Sequence, residues 1–308
     1  MKKRLRGGVI GAGEVILEYA WKGYREAQRN GQPIDIVKIA NVGSFEQTSQ
    51  DLKLRHKERE LERASIEDVL SEFGRGGLKH YTTDGGCFKD PRPFMEGLDF
   101  VYIATPNEIR LGFVQEAIDC GVIPIIEKPI AHTEALVGAV ASYVDNHGIK
   151  AMCAEHYSYK LPALWMFKNI QDLSKRWGAL ESINGALCET DMLDAARYEW
   201  LFKKSGIWLD TGVHMMHAVY LAGVKAGEVT SAYGFRQRFP KGDSRNENIQ
   251  GETGSVVRVN LESDRIEVAP WAYANIEVAK CAPKKKKFLD VRFEKGSLHL
   301  NFANNSAF

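Results

Sequence analysis

The segment G-V-I-G-A-G-E-V-I, residues Gly8 to Ile16, lies where the first predicted strand meets the first predicted helix. Apolar residues near helical spacing predict that this helix runs from Glu14 to Arg29. Glycines at such a junction, here Gly11 and Gly13, let the backbone approach a pyrophosphate, which then binds amides at the positive end of the helix. Ile16 replaces the third glycine of the G-x-G-x-x-G pattern, so a simple glycine turn is the alternative interpretation.

Strands alternate with helices through the rest of the first half. The predicted strands are Leu5–Ile10, Ile34–Ala40, Phe100–Ala104, Val122–Ile126 and Lys150–Ala154, and the later helices are Asn107–Cys120 and Thr133–His147. This alternation predicts β-α-β units around a parallel sheet. The highly charged segment from Asp51 to Arg63 predicts a solvated helix.

The second half changes to segments that are rich in β-forming residues. The predicted strands are Leu180–Leu187, Val229–Phe239, Ser255–Leu261, Ile266–Val278 and Phe288–Leu300, with helices near Pro162–Leu173 and Thr211–Leu221. Several strands alternate apolar and polar residues, which predicts an antiparallel sheet with one face against helices and the other open to solvent or a partner. We therefore expect two domains, residues 1–154 and 155–308.

The amino-acid composition and net charge of the chain limit the classes of function to be considered. The chain has 308 residues, 44% of them hydrophobic and 26% charged, and a formal net charge of +1, so neither a nucleic acid nor a membrane is an expected partner. The basic start M-K-K-R-L-R has no apolar segment after it, so we expect no secretory signal. Five scattered cysteines predict thiols in a reducing compartment, the cytoplasm.

Polar residues follow two of the predicted parallel strands. Asn41 and Ser44 come after the second strand, where an acid would bind the ribose of NAD, so the choice between NAD and NADP stays open. The segment Ala104–Asn107 (A-T-P-N) ends another strand. Thr105 or Asn107 either caps the following helix or lines the ligand edge of the sheet.

The segment I-I-E-K-P-I, Ile125 to Ile130, ends a buried strand on two adjacent charges. We expect this strand near the middle of the parallel sheet, so that Lys128 faces the cofactor crevice and exchanges a proton with a substrate hydroxyl. Pro129 restricts Lys128 to extended backbone, and the bond between them is a candidate for the cis form. An exposed charge pair is the alternative.

The segment S-G-I-W-L-D-T-G-V-H-M-M-H covers residues 205–217. Asp210 resembles a helix N-cap and shares a helix face with His214, so it can orient that imidazole for acid–base work. A metal site formed by Asp210, His214 and His217 is the less favoured interpretation, and we predict no metal. The basic run Lys284–Lys287 predicts a charged turn more strongly than a basic patch.

In combination, these segments resemble the glucose–fructose oxidoreductase/inositol dehydrogenase/MocA family. The matching stretches are G-V-I-G-A-G-E-V, I-A-T-P-N, E-K-P-I-A and W-L-F-K-K-S-G-I-W-L-D-T-G-V-H, and the similarity runs from Leu5 to about Leu300. It implies a Rossmann dinucleotide-binding domain and an α+β substrate-binding domain whose open, mostly antiparallel sheet forms a homodimer or a dimer of dimers. It also implies hydride transfer between NAD or NADP and a sugar, cyclitol or related polyol.

The resemblance assigns roles to individual residues. Lys128 matches the family's active-site lysine, His214 its acid/base histidine and Asp210 the accompanying aspartate, and we expect Lys128 and His214 to converge on one substrate oxygen. The residues expected to bind the dinucleotide are Gly11, Ala12, Gly13, Glu14, Val15, Asn41, Ser44, Ala104, Thr105, Pro106, Asn107, Glu127 and Lys128.

The sequence also departs from the family pattern. Arg110 stands where T-P-N-x-x-H has histidine, so one crevice-lining group is altered. The segment Y-S-Y-K-L-P lacks the usual arginine, which leaves Tyr157, Tyr159 and Lys160 as candidate substrate residues. The chain stops soon after Leu300, as in a short or truncated member. An NAD-assisted glycoside-cleaving enzyme and a non-catalytic dinucleotide sensor are the alternative functions.

Overall fold

A computed structural model describes residues 4–11, 21–32, 34–42, 79–83, 87–190, 206–235, 253–280, 282 and 284–307. The predicted ligands Ala12, Gly13, Glu14, Val15 and Ser44 and the charged segment Asp51–Arg63 lie outside this part. The chain forms two compact units, Met1–Ala154 and Glu155–Phe308. None of the described helices combines the length and hydropathy that crossing a membrane requires.

The first unit is built on a six-stranded, fully parallel sheet in the order β3-β2-β1-β4-β5-β6. Its strands are β1 (Leu5–Ile10), β2 (Ile34–Asn41), β3 (Lys79–Thr82), β4 (Phe100–Ile103), β5 (Ile123–Ile126) and β6 (Met152–Cys153). This is the strand order of a dinucleotide-binding Rossmann sheet, in which the direction of winding reverses between β1 and β4. The prediction that β5 lies near the middle is wrong, because β5 is next to the two-residue edge strand β6.

The helices of this unit are α1 (Trp21–Arg29), α2 (Arg92–Met95), α3 (Asn107–Asp119) and α4 (Glu134–His147). Thr133 caps α4 by accepting a hydrogen bond from the backbone N–H of Leu136 at 3.3 Å, and Gly148 ends it in the left-handed conformation at φ 62°. Buried strand residues such as Ile10 and Ile103 pack with Phe94 and Phe113 in one core. The β-α-β alternation thus covers the sheet with helices.

The second unit contains a seven-stranded sheet in the order β13-β12-β11-β7-β10-β9-β8. Its strands are β7 (Leu180–Cys188), β8 (Lys225–Phe235), β9 (Gly254–Glu262), β10 (Val268–Ala279), β11 (Lys286–Phe293), β12 (Gly296–Asn301) and β13 (Ser306–Ala307). All neighbouring pairs are antiparallel except β7 and β10, so the mostly antiparallel prediction is confirmed. The stretch predicted as one strand from Phe288 to Leu300 is a hairpin.

Two helices pack on this sheet, α5 (Leu161–Trp177) and α6 (Val213–Leu221). Met166 of α5 and Met215 of α6 share a core with Ile183 of β7 and Ile276 of β10. A short 3₁₀ helix, His156–Tyr159, precedes α5, and one π-helical turn, Trp208–Gly212, leads into α6. These two irregular turns carry the polar groups described next.

Candidate active site

The turn after β1 leaves no room for a side chain. Gly11 has φ +92°, and its N–H donates to the carbonyl of Ala40 at 2.9 Å. A Cβ added at Gly11 would lie 2.6 Å from the carbonyl oxygen of Ala104, at the end of β4. Only glycine suits this backbone conformation and this close approach. The turn therefore exposes backbone where the sheet changes its direction of winding, which is where such sheets bind ligands.

Two polar side chains next to this turn are buried without satisfying their hydrogen-bonding capacity. Within the described ranges, neither Thr105 Oγ1 nor Asn107 Nδ2 has a hydrogen-bond partner. Neither side chain caps α3, because the N-cap position is occupied by Pro106 and no side chain bonds to the helix start. The capping alternative is therefore wrong. Buried polar groups need hydrogen-bond partners. The ribose hydroxyl groups of a dinucleotide are suitable partners for both side chains.

Asn41 ends β2 at the same edge of the sheet. It pairs with Thr82 of β3, and its carbonyl accepts from the N–H of Thr83 at 2.9 Å. Ala104 is tied to β1 in the same manner, since its N–H donates to the carbonyl of Ile10 at 2.8 Å. The described members of the predicted dinucleotide set therefore lie at the ends of four neighbouring strands, β2, β1, β4 and β5.

Arg110 is a buried brace and does not line a crevice as the sequence predicted. Its guanidinium donates to the carbonyl of Glu127 at 2.7 Å and to the carbonyls of Pro129 and Thr105. Burial lowers its pKa, and the carboxylate of Glu127 opposes that shift. One side chain on α3 thus joins the ends of β4 and β5, which histidine has too few donors to do.

The Glu127–Lys128–Pro129 turn is held from both sides. The side chain of Glu127 accepts a hydrogen bond from the hydroxyl of Tyr102 on β4, and burial together with this carboxylate raises the pKa of Tyr102. The Lys128–Pro129 peptide bond is cis, one of the two forms the sequence left open. The residues on both sides of Lys128, Glu127 and Pro129, are therefore held in place by hydrogen bonds.

Arg110→Met is expected to lower the free energy of unfolding by about 3 kcal/mol, because hydrogen bonds from charged donors contribute about 1.5–3 kcal/mol each and are not additive. Urea denaturation of the two proteins measures the difference. Arg92→Met is the matched control, since Arg92 is exposed and pairs with Asp90 on the surface. Equal losses of stability in the two variants would show that the brace contributes nothing.

In the second unit, His214 forms a buried pair with Glu155. His214 Nδ1 lies 2.6 Å from Glu155 Oε1 and 2.8 Å from Oε2, and only 6% of the histidine is exposed. Burial raises the pKa of Glu155, but the hydrogen bond and charge of His214 outweigh it, so the pKa lies below its ordinary value. A carboxylate can only accept, so Nδ1 carries the proton and Nε2 is left for other chemistry. Glu155 was not among the site residues predicted from the sequence.

Asp210 occupies a different place from the one predicted. It lies inside the π-helical turn and not at an N-cap, because the helix already begins at residue 206. Its carboxylate is 3.7 Å from the ammonium of Lys280. The carboxylate that orients the Nδ1 atom of His214 is therefore that of Glu155.

The three candidate substrate residues differ in how deeply they are buried. Tyr157 is buried, and its ring centroid lies 4.8 Å from that of His214. Tyr159 is exposed. Lys160 is half-buried, its ammonium lies 4.5 Å from the Tyr157 centroid, and it donates to the carbonyl of Phe302 at 3.1 Å. The ring of Tyr157 therefore contacts both His214 and Lys160.

Ligand atoms of Glu155, His156 and His214 all lie within 4.8 Å of one another. This trio differs from the set considered in the sequence, Asp210, His214 and His217. In the described geometry, Glu155 and His214 bond directly to each other. A hydrogen-bonded acid–base pair accounts for both groups.

Solved structures with the same fold include several oxidoreductases. An aldose-aldose oxidoreductase from Caulobacter crescentus, in complex with glycerol, matches with a TM-score of 0.70 and 17% identity over 99% of this chain and 78% of its own. A levoglucosan dehydrogenase in complex with NADH and levoglucosan matches at 0.68 and 19%, over 98% and 75%. An NAD-binding oxidoreductase from Klebsiella pneumoniae matches at 0.68 and 19%, over 98% and 74%.

No protein-family model matches the chain, and no curated protein matches it in sequence. The solved structures nevertheless define its class of fold: a Rossmann sheet followed by a mostly antiparallel α+β unit. More particularly, the chain shares the two-unit fold of these oxidoreductases, which is the fold that the sequence resemblance predicts.

Proposed function

We propose that this protein is an NAD(P)-dependent oxidoreductase that transfers a hydride between the nicotinamide and a CH–OH group of a sugar, cyclitol or related polyol. The observation that carries the proposal is the buried Glu155–His214 pair, an oriented acid–base group. The solved structures of like fold support it, because one was determined with NADH and levoglucosan. They favour this function over glycoside cleavage or dinucleotide sensing.

The dinucleotide would be held at the edge of the Rossmann sheet. The missing side chain at Gly11 lets the dinucleotide approach the backbone of the turn. Thr105 and Asn107 offer buried polar atoms that have no hydrogen-bond partner within the described residues. Asn41 brings no charge to the ribose side, so the choice between NAD and NADP stays open. The bound cofactor supplies the nicotinamide carbon that accepts or donates the hydride.

His214 handles the proton of the reacting hydroxyl. With Nδ1–H donated to Glu155, Nε2 is the basic nitrogen, and it accepts the hydroxyl proton when the alcohol is oxidised. The imidazolium that forms is stabilised by the ionised carboxylate of Glu155, whose low pKa keeps it charged. In the reverse direction Nε2–H returns the proton.

Lys128 is proposed to polarise the substrate oxygen, since an ammonium stabilises negative charge that develops there. Its neighbours Glu127 and Pro129 are both fixed by Arg110, so little motion has to be suppressed when the substrate binds. Asp210 is proposed to act on the same reaction more remotely, through its contact with Lys280.

We further propose a cytoplasmic homodimer or dimer of dimers that assembles through the seven-stranded sheet. Large apolar side chains on its strands are exposed, among them Val229 and Tyr233 of β8 and Trp271 of β10. Exposed apolar groups of this size are typical of interaction surfaces. Light scattering of the wild-type protein and of Tyr233→Glu tests this assembly.

Gly11→Ala is expected to weaken dinucleotide binding at least about tenfold, or about 1.4 kcal/mol, because the added methyl group occupies the space beside Ala104. Calorimetric titration with NAD and NADP measures the affinity. Gly121→Ala is the control, since Gly121 also has a positive φ, +71°, but lies in open space. Thr105→Val, which keeps the shape and removes the unpartnered hydroxyl, should weaken binding too. Wild-type affinity in both folded variants would reject the dinucleotide site.

A further inference from the structure

Lys160 is a half-buried cation whose contacts are all uncharged. Its ammonium donates to the carbonyl of Phe302 at 3.1 Å and lies over the ring of Tyr157. Within the described part of the chain, no carboxylate lies at ion-pair distance from it. Charges that are taken partly out of water are normally paired, so this ammonium lacks the counterion that its position calls for.

Other lysines increase the positive charge around it. Burial lowers the pKa of Lys160, and the ammonium groups of Lys287 and Lys285 lower it further, whereas the carboxylate of Glu189 opposes the shift without reversing it. Both belong to the basic run Lys284–Lys287, which the proposed hydride transfer does not use. The run is therefore more than a solvated turn, because two of its members act on a partly buried group.

Glu189, the acid that acts on the pKa of Lys160, is already paired with two other lysines. Glu189 accepts from Lys287 at 2.9 Å and is also paired with Lys280. Burial raises the pKa of Glu189, but these two ammonium groups hold it at about 2. Asp210 adds a second carboxylate beside Lys280. Glu189 and Asp210 thus pair with Lys280 and Lys287, and within the described residues neither acid forms an ion pair with Lys160 or Lys285.

The positive charge around Lys160 adjoins the proposed acid–base pair. The ring of Tyr157 contacts the ammonium of Lys160 and also packs against the ring of His214. A ligand that carries hydroxyl groups and one negative group can therefore place its anionic end near Lys160 while another part of it lies near His214. Carboxylates and phosphates make charge-assisted hydrogen bonds to ammonium groups of this kind.

We propose that Lys160, together with Lys285 and Lys287, forms a subsite for a carboxylate or phosphate group, so that the substrate is an anionic polyol such as a sugar acid or a sugar phosphate. The assignment of the anion to the substrate rests on the proposed oxidoreductase function. The subsite itself does not, because anion binding is measured without turnover.

The test uses the full chain and matched ligands at constant ionic strength. Calorimetry compares D-gluconate with D-sorbitol, which has the same carbon skeleton without the carboxylate, and includes inorganic phosphate. The variants are Lys160→Met, Lys160→Arg and, as a control on the helix that Lys160 immediately precedes, Lys168→Met, whose lysine is exposed. Circular dichroism checks that each variant is folded.

Wild type should bind gluconate at least about tenfold more tightly than sorbitol, a difference of about 1.4 kcal/mol. Lys160→Met should abolish this difference, whereas Lys160→Arg and Lys168→Met should keep most of it. Binding of phosphate but not of gluconate would confirm the subsite and select phosphate as its anion. Equal binding of gluconate and sorbitol with no binding of phosphate would overturn it, as would unchanged anion binding in Lys160→Met.

Turnover separates this proposal from the function on which it draws. If Lys160→Met loses anion binding and no polyol is oxidised, the anion site stands and the oxidoreductase assignment fails. If neutral polyols are oxidised equally well by wild type and Lys160→Met, and no anion binds, the function stands and the subsite fails.

Discussion

His214→Ala is expected to reduce turnover by about 10²–10⁴-fold, the usual contribution of a positioned acid or base. Dinucleotide affinity should stay nearly unchanged, because His214 belongs to the second unit and the glycine turn to the first. Sugars, cyclitols, sugar acids and sugar phosphates are screened by nicotinamide absorbance, and kcat is then measured on the best substrate. Calorimetry gives the dinucleotide affinity of the same preparations.

The structure assigns the orientation of His214 to Glu155, whereas the sequence pattern favours Asp210. One variant of each residue distinguishes the two assignments. Glu155→Gln keeps an oxygen that can accept from Nδ1–H but removes the charge that stabilises the imidazolium. We expect it to lower kcat at least about tenfold, with a smaller loss in Asp210→Asn. A larger loss of kcat in Asp210→Asn than in Glu155→Gln would show that Asp210 orients His214, as the sequence pattern predicts.

The acid–base assignment is rejected if folded His214→Ala turns over a confirmed substrate at the wild-type rate. A metal at Glu155, His156 and His214 makes a separate prediction, since a chelator would then abolish activity and zinc would restore it. We expect turnover to be unaffected by prior treatment with the chelator.

Lys128→Met should also lower turnover by about 10²–10⁴-fold, because it keeps the apolar stem and removes the charge that polarises the reacting oxygen. The fold should persist, since the backbone at this turn is held through Glu127 and Pro129 by Arg110. Lys150→Met is the control, an exposed lysine of the same unit. Equal kcat values for Lys128→Met and Lys150→Met would remove Lys128 from the catalytic set.

The double variant of Lys128 and His214 tests whether both residues act in one chemical step. Groups that act as a unit show losses that are far from additive. We expect the double variant to lose less activity than the product of the two single losses. A fully multiplicative loss would mean that the residues act in independent steps.

Local patterns in the sequence were enough to predict both halves of the fold. Strand–helix alternation before residue 154 predicts the parallel sheet, and the β-rich segments after it predict the mostly antiparallel one. Gly11 and the Lys128–Pro129 pair were recognised because glycine and proline restrict the backbone within a few residues of themselves. Such signals need no knowledge of which distant segments meet.

Contacts between distant residues were decided only by the tertiary structure. Glu155 and His214 are 59 positions apart, so no spacing rule links them, whereas Asp210 satisfies the i, i+4 rule and yet lies beside Lys280. Arg110 changes from a crevice residue to a brace because carbonyls from the ends of β4 and β5 converge on it. The positive charge around Lys160 arises likewise, since Lys287 at the start of β11 acts on a residue that lies more than a hundred positions earlier in the chain. Burial and the pairing of charged groups determine the chemistry of these side chains. Both depend on packing between segments that are far apart in the sequence.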